Sequence, residues 1–180
     1  MTRAAVFLDR DGVLNNTVVR DGVSHPPADA ESMIVTSRAA DAVARLKAGG
    51  YLCICVTNQP DIARGTRTLD NVLAMNEKIR RLVPLDDLYY CPHDGKDACL
   101  CRKPKPGMLV AAAEKWGVSL PSSWMIGDRS TDVLAGKAAG CKTILVSSSF
   151  PKKEIISPQT KPDAIVTTLW DAVEHILDRG

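Results

Sequence analysis

Two kinds of apolar pattern alternate along the chain. Short, nearly continuous apolar runs fall at Ala4–Leu8, Leu52–Val56, Leu88–Cys91, Trp124–Ile126, Thr143–Val146 and Ala164–Val166. Their length and their Val, Ile, Leu and Tyr content predict strands buried on both faces. Between them lie longer stretches of helical pattern. One covers Ser37–Ala48 and is closed by Gly49-Gly50; another covers Leu69–Leu82 and stops before Pro84. A third runs Pro106–Trp116, with proline suited to a first turn and Gly117 at its end, and a fourth runs Thr131–Ala139 to Gly140. The last is Leu169–Leu177. These starts and stops follow the usual punctuation by proline and glycine.

Strands alternating with helices predict the α/β class, here a Rossmann-like open, mostly parallel sheet with helices on both faces. No internal repeat or low-complexity tract interrupts it. Residues 147–162 are polar and contain proline, which predicts a surface connection. Residues 15–35, with His25-Pro26-Pro27, form a long irregular stretch beside the first acidic pair, and long loops in compact domains are often functional.

In such sheets ligands bind beyond the carboxyl ends of the strands. Polar residues collect there: Asp9 and Asp11 after the first strand, Thr57-Asn58-Gln59 after the second, Cys91 and His93 at the third, Gly127-Asp128 after the fourth. Core packing gives no reason for that.

Composition narrows the field. At 180 residues, one domain spanning 1–180 is expected. Hydrophobic residues at 45% and charged residues at 24% are those of an ordinary globular protein. The net charge is +2, basic residues are scattered and aromatics are only 4%, which argues against a nucleic-acid surface. No apolar run is long enough to cross a bilayer. The N-terminal run is short, meets Asp9 and has no cleavage site, so no signal peptide is expected and the cytoplasm is the expected compartment. The expected partner is a small metabolite, and the chain is expected to act as a monomer. Three of the six cysteines sit with a histidine in residues 91–101, which suggests a metal rather than disulfides.

Each polar cluster has a chemical and a plain reading. In Asp9-Arg10-Asp11-Gly12-Val13, a carboxylate at a strand end can attack phosphorus and form an acyl phosphate. That requires a cation against the phosphate, and Mg²⁺ suits oxygen ligands. Asp11 can then protonate the leaving oxygen and later activate water. Taken alone, D-x-D-G also suits an Asx-type turn or a Ca²⁺ loop. In Gly127-Asp128-Arg129-Ser130-Thr131-Asp132, Asp128 fits a metal ligand, whereas Asp132, taken alone, fits a helix cap better. Thr57-Asn58-Gln59 can hold phosphate oxygens or be a polar turn. Lys103 can neutralise developing charge or be a surface lysine. Cys91-Pro92-His93 with Cys99-Leu100-Cys101 gives C-x-H-x5-C-x-C, a closed tetrahedral set for structural Zn²⁺ that would pin the loop ending at Arg102-Lys103. Cys53, Cys55 and Cys141 read as small core residues.

The ordered set, D-x-D-G-V after strand one, T-N after strand two, a later lysine and G-D-x-x-x-D, resembles the haloacid dehalogenase superfamily of phosphatases over roughly residues 4–146. The resemblance implies that Asp9 is the nucleophile and Asp11 the general acid/base. Thr57 would bind the transferring phosphoryl group with Asn58 beside it, and Lys103 would stabilise both that group and the nucleophile. Mg²⁺ would lie among the Asp9 carboxylate, the Asp11 backbone carbonyl and Asp128, with Asp132 in support.

The stretch C-P-H…C-x-C-R-K-P-K-P-G-M, with T-N-Q…I-A-R-G and G-D-R-x-x-D, is similar to the capless branch that holds the heptose bisphosphate phosphatases and the histidinol-phosphate phosphatases. Pro106-Gly107-Met108 and Ile62-Ala63-Arg64-Gly65 favour the former. The five-residue spacer between His93 and Cys99 matches the latter, and Pro60-Asp61 departs from the usual heptose pattern. The implied reaction is phosphomonoester hydrolysis through a phosphoaspartate, removing the 7-phosphate of D-glycero-D-manno-heptose 1,7-bisphosphate. Histidinol phosphate or another small phosphomonoester is the alternative. A non-catalytic zinc scaffold is disfavoured, because every expected acid is present. Asp11 and Thr57 are separated by little more than a loop and a helix, so no cap domain is expected. Loops 15–30 and 58–66 and the zinc loop would then screen the substrate. Arg102 is the first candidate for a non-reacting phosphate or a sugar hydroxyl, since guanidinium forks suit planar oxygen groups; Arg64, His25 and Arg129 are further candidates.

Overall fold

The structure is a computed structural model that describes residues 3–20, 23–148 and 156–178. Each apolar run forms a strand: β1 (Ala5–Leu8), β4 (Leu52–Asn58), β5 (Asp87–Cys91), β6 (Trp124–Gly127), β7 (Lys142–Val146) and β8 (Ala164–Val166). A hairpin, β2 (Val18–Arg20) with β3 (Val23–His25), precedes β4. The helices are α1 (Ala39–Ala48), α2 (Leu69–Leu82), α3 (Gly107–Trp116), α4 (Ser130–Ala139) and α5 (Leu169–Leu177), with a 3-10 turn at Leu120–Ser122.

The six long-range strands pair in parallel in the order β5-β4-β1-β6-β7-β8. Side chains alternate across the sheet. Val6 and Leu8 of β1 face a core completed by α1, α2 and α5, while Ala5 and Phe7 face one completed by α3 and α4. Both layers are needed because every β1 side chain is fully buried. The chain winds outward from β1 to β4 and β5, then returns to the other side of β1 at β6. That reversal leaves a crevice beyond the carboxyl ends of β1 and β6, the usual place for a ligand.

The structure corrects several boundaries. β4 runs on to Asn58, so Thr57 and Asn58 are strand residues rather than a turn. α1 starts at Ala39 because Arg38 takes a left-handed conformation (φ 60°) and ends the incoming loop. α3 begins after Pro106, and α4 begins one residue early at Ser130. Residues 15–35 are not wholly irregular: β2 and β3 pair antiparallel there, Val18 opposite His25 and Val19 opposite Ser24. These side chains are exposed or half-buried, so no alternation of apolar and polar residues marks them. Part of the expected surface connection at 147–162, residues 149–155, lies outside the described residues. Among the described residues no helix is long and apolar enough to cross a membrane.

Candidate active site

Just past β1 the chain closes a tight turn. The N–H groups of Val13, Leu14 and Asn15 all donate to Arg10 O, at 3.3, 2.9 and 3.0 Å. Gly12 permits it with φ +91°, a conformation that a side chain would resist. Asp9 N donates to Ile126 O at 2.9 Å, which holds the end of β1 to β6. Asp9 and Asp128, at the tips of these neighbouring strands, thereby meet. With Asp132 they form a buried group of three carboxylates whose ligand atoms lie within 4.8 Å of one another.

Asp132 faces two ways. Its Oδ2 accepts from Arg129 N at 3.0 Å, capping α4, while its Oδ1 lies 2.7 Å from Lys103 Nζ. Gly127 makes the approach possible: a Cβ there would sit 2.1 Å from Asp132 Cβ. Lys103 is the centre of the arrangement. Its ammonium donates to Asp9 Oδ1 at 2.8 Å and to Val56 O at 2.7 Å, and the side chain is buried. Asn58 fixes the Lys103 backbone from both sides: Asn58 Nδ2 donates to Lys103 O at 2.9 Å, and Lys103 N donates to Asn58 Oδ1 at 3.0 Å. Its amide is thus committed to placing Lys103, a use that its position beside Thr57 did not reveal.

Electrostatics follow from burial. Loss of water pushes Asp9 up to about 6; Lys103 opposes that rise and Asp132 adds to it. Burial, with Asp9 and Asp132 nearby, pushes Asp128 up to about 9. Burial by itself would lower the Lys103 pKa, but the Asp132 and Asp9 carboxylates outweigh it and hold the ammonium charged. Three carboxylates against one ammonium leave an excess of two negative charges when all are ionised.

Asp11 belongs to a different network. Its carboxylate accepts from Arg10 NH2 at 2.9 and 3.2 Å, from Asn15 Nδ2 at 3.1 Å and from Gln59 Nε2 at 2.9 Å. Burial would raise its pKa; Arg10 and these hydrogen bonds prevail and leave it below the ordinary value. Gln59 Nε2 also donates to Thr57 Oγ1 at 3.0 Å, so one amide joins Asp11 to Thr57. Sequence reasoning passed over Arg10 and Asn15. The one available signal was Arg10 itself, a charge set directly on the end of a buried strand.

Cys91, His93, Cys99 and Cys101 converge as expected, with ligand atoms within 4.8 Å of one another. Cys91 Sγ lies 3.1 Å from Cys101 Sγ and 3.8 Å from Cys99 Sγ, and His93 Nδ1 lies 3.4 Å from Cys101 Sγ. This cluster is wired to the carboxylate site. Cys91 O accepts from Gln59 N at 2.7 Å, and His93 O accepts from Arg102 NH1 at 3.1 Å.

Beside these groups opens a cleft of about 390 Å³, whose lining includes Asp9, Asp11, Thr57, Asn58, Gln59 and Lys103 together with His25, Asp61, Arg64, Arg102 and Arg129. Asp128 lies beneath it and is fully buried. The four candidate substrate contacts are not equivalent. Arg64 is half committed, with its NH2 2.7 Å from Asp94 Oδ1 and its NH1 3.6 Å from Asp61 Oδ1, clasping the loop after β4 to the Cys/His loop. Arg129 NH2 reaches Ser24 O in the hairpin at 3.3 Å. Arg102 lines the cleft and donates from NH1 to His93 O at 3.1 Å.

A HAD-hydrolase-like family model matches residues 100–172. The D-glycero-beta-D-manno-heptose-1,7-bisphosphate 7-phosphatase of Pasteurella multocida is 41% identical, covering 84% of this chain and 86% of the relative. The enzyme of that name from Vibrio cholerae is 34% identical over 98% and 95%. The chain belongs to the heptose bisphosphate phosphatase family. The crystal structure of D,D-heptose 1,7-bisphosphate phosphatase from B. bronchiseptica, complexed with magnesium and phosphate, superposes with a TM-score of 0.83 at 27% identity, covering 98% of this chain and 99% of that one. The family is hydrolytic and its fold is the HAD fold, so the chain is a phosphatase.

The residues present fit the metals expected in this family. Both Asp128 carboxylate oxygens are buried without a hydrogen-bond partner. Orphaned buried acceptors of this kind call for a cation. The all-oxygen donor set and the excess of two negative charges suit Mg²⁺. The Cys₃His group suits Zn²⁺ and leaves no open position.

Proposed function

We propose that this phosphatase is Mg²⁺-dependent, works through a phosphoaspartate on Asp9 and removes the 7-phosphate of D-glycero-D-manno-heptose 1,7-bisphosphate. The observation that carries the reading is Asp9 itself: a strand-end carboxylate facing the cleft, touched by the buried ammonium of Lys103, beside an Asp128 that lacks partners. Bound Mg²⁺ would draw on Asp9, Asp128 and the Asp11 backbone carbonyl, and would supply charge neutralisation for phosphate.

The chain's own groups then divide the work. Asp9 attacks phosphorus, and its other interactions keep the attacking carboxylate in place. Lys103 and the Thr57 hydroxyl stabilise the transferring group, an effect worth about 10²–10³-fold in kcat per donor in comparable sites. Asp11 gives a proton to the leaving oxygen and takes one from water in the second step. Arg102, with Arg129, Arg64 and His25, meets the distal phosphate and the sugar hydroxyls at the mouth. Zinc in the Cys91–Cys101 loop is structural. The reading also places the chain in the cytoplasm, as a single catalytic domain without a cap, active as a monomer on a small metabolite.

Substrate choice rests on the relatives' names and on the cationic mouth, which suits a second phosphate. The test is kcat/KM for both anomers of heptose 1,7-bisphosphate against histidinol phosphate, alongside Asp9→Asn. Preference for a bisphosphate anomer and complete loss of turnover in a folded Asp9→Asn variant are expected. A preference for histidinol phosphate would overturn the substrate, and turnover by Asp9→Asn would overturn the mechanism.

A further inference from the structure

Arg10 is completely buried, an unusual fate for a guanidinium beside a catalytic cleft. Its NH2 spans both oxygens of Asp11, and its NH1 donates to Asn76 Oδ1 at 2.7 Å. Asn76 lies on the buried face of α2, 66 residues away in sequence. The guanidinium therefore ties the turn after β1 to a helix of the core. From the other side Asn15 and Gln59 each hold one Asp11 oxygen. A buried ion pair brings little net stability compared with apolar packing, so stability alone does not account for an arginine here. A two-point fork onto a carboxylate does fix the plane of that carboxylate.

We propose that Arg10, anchored by Asn76, is a positioning residue that sets the Asp11 carboxyl for proton transfer. The inference rests on the phosphoaspartate reading. In the first step Asp11 takes up a proton from solvent, the Asp9 O–P bond forms, the P–O bond to the sugar breaks, and that proton passes to the leaving oxygen. In the second step a water oxygen bonds to phosphorus, the Asp9 O–P bond breaks, and the water proton returns to Asp11. Both transfers use the same carboxyl, so one orientation serves both. The leaving oxygen or water takes the place of a single-point donor such as Gln59, while the Arg10 fork stays.

The test separates proton transfer from general damage by the choice of leaving group. An alkyl phosphate needs a proton in the first step; p-nitrophenyl phosphate does not, because nitrophenolate leaves unaided. Asn76→Leu keeps every cleft residue and guards against a misfolded Arg10→Met; melting curves check both. With heptose bisphosphate, kcat is expected to fall about tenfold in Asn76→Leu and about a hundredfold in Arg10→Met, the scale of general acid–base effects. KM should stay within about twofold, as for an interaction made only in the transition state. With p-nitrophenyl phosphate both variants should release a burst of nitrophenolate and accumulate phosphoenzyme, because only the second step is slowed. Arg10→Lys should recover part of the loss. Equal losses on the two substrates without a burst, or unchanged kcat, would overturn the proposal. Asp9→Asn run in parallel shows which idea has failed: if it is inactive, those results refute the role of Arg10 alone, and if it turns over, the phosphoaspartate reading falls and the role of Arg10 with it.

Discussion

Lys103 reaches Asp9 at 2.8 Å across 94 residues of sequence. The same ammonium touches Asp132 at 2.7 Å, so one buried cation divides its charge between the Asp9 carboxylate and the carboxylate that caps α4. Lys103→Met should therefore act on two properties. Turnover is expected to fall by at least about 10²-fold, the usual effect of losing a preorganised donor at a reacting oxygen. Stability is expected to fall by about 3–5 kcal/mol, because two buried carboxylates lose their counter-charge. Steady-state kinetics and urea unfolding of the same preparation check both.

The carboxylate group also sets a pH dependence of stability. Asp9 rises from 3.8 to about 6 and Asp128 from 3.8 to about 9 on folding without metal. A folded state that holds its protons more tightly than the unfolded chain is stabilised at low pH and loses that contribution as pH rises. The loss should run from near pH 4 to about pH 9, shared by the interacting carboxylates rather than assigned to one. Melting temperatures in chelator should fall across that window. Saturating Mg²⁺ should flatten the slope, since ionised carboxylates are what it binds. An unchanged slope with Mg²⁺ would contradict the placement of the ion.

Gly127 is the hinge of close approach between β6 and α4. Gly127→Ala would put its Cβ 2.1 Å from Asp132 Cβ, a distance no side-chain rotation relieves. Displacing Asp132 would also disturb Lys103. A destabilisation of about 3 kcal/mol, the upper range of overpacking, is expected together with loss of most activity. Thermal unfolding and kcat are the readouts.

The Cys/His loop reaches the cleft through backbone carbonyls, from Cys91 to Gln59 and from His93 to Arg102. The purified protein should carry about one zinc per chain, and Cys99→Ala should lose it, since structural zinc needs its full closed ligand set. Turnover should then fall about 10–100-fold, the scale of disturbing groups that support a site, with Mg²⁺ still binding. Elemental analysis paired with kinetics distinguishes this from a loop that needs no metal.

Much of the architecture was legible because burial on both sheet faces leaves continuous apolar runs. β7 and β8, α2 and α5 fell where the pattern placed them, or within one residue of it. The hairpin of β2 and β3 was not legible, since it buries neither face and so leaves no periodicity. Asp9 and Asp128 were legible because carboxylates at the ends of buried strands have few structural uses, and the Cys/His set because three thiols and an imidazole crowd into residues 91–101. Arg10, Asn76 and the amide of Asn58 were not: arginine and asparagine are common, and their partners lie 66 and 45 residues away.

The sequence by itself determined which segments would be buried and which reactive groups would end them, because hydrophobic periodicity and turn chemistry are local. Only the tertiary structure decided which of those groups touch. The return of the chain across β1 to β6 brings Asp9 against Asp128, and packing of the Lys103 loop on Asn58 delivers a cation to both Asp9 and Asp132. Such contacts depend on strand order and on a few ångströms of packing, and distance-dependent electrostatics turns them into chemistry.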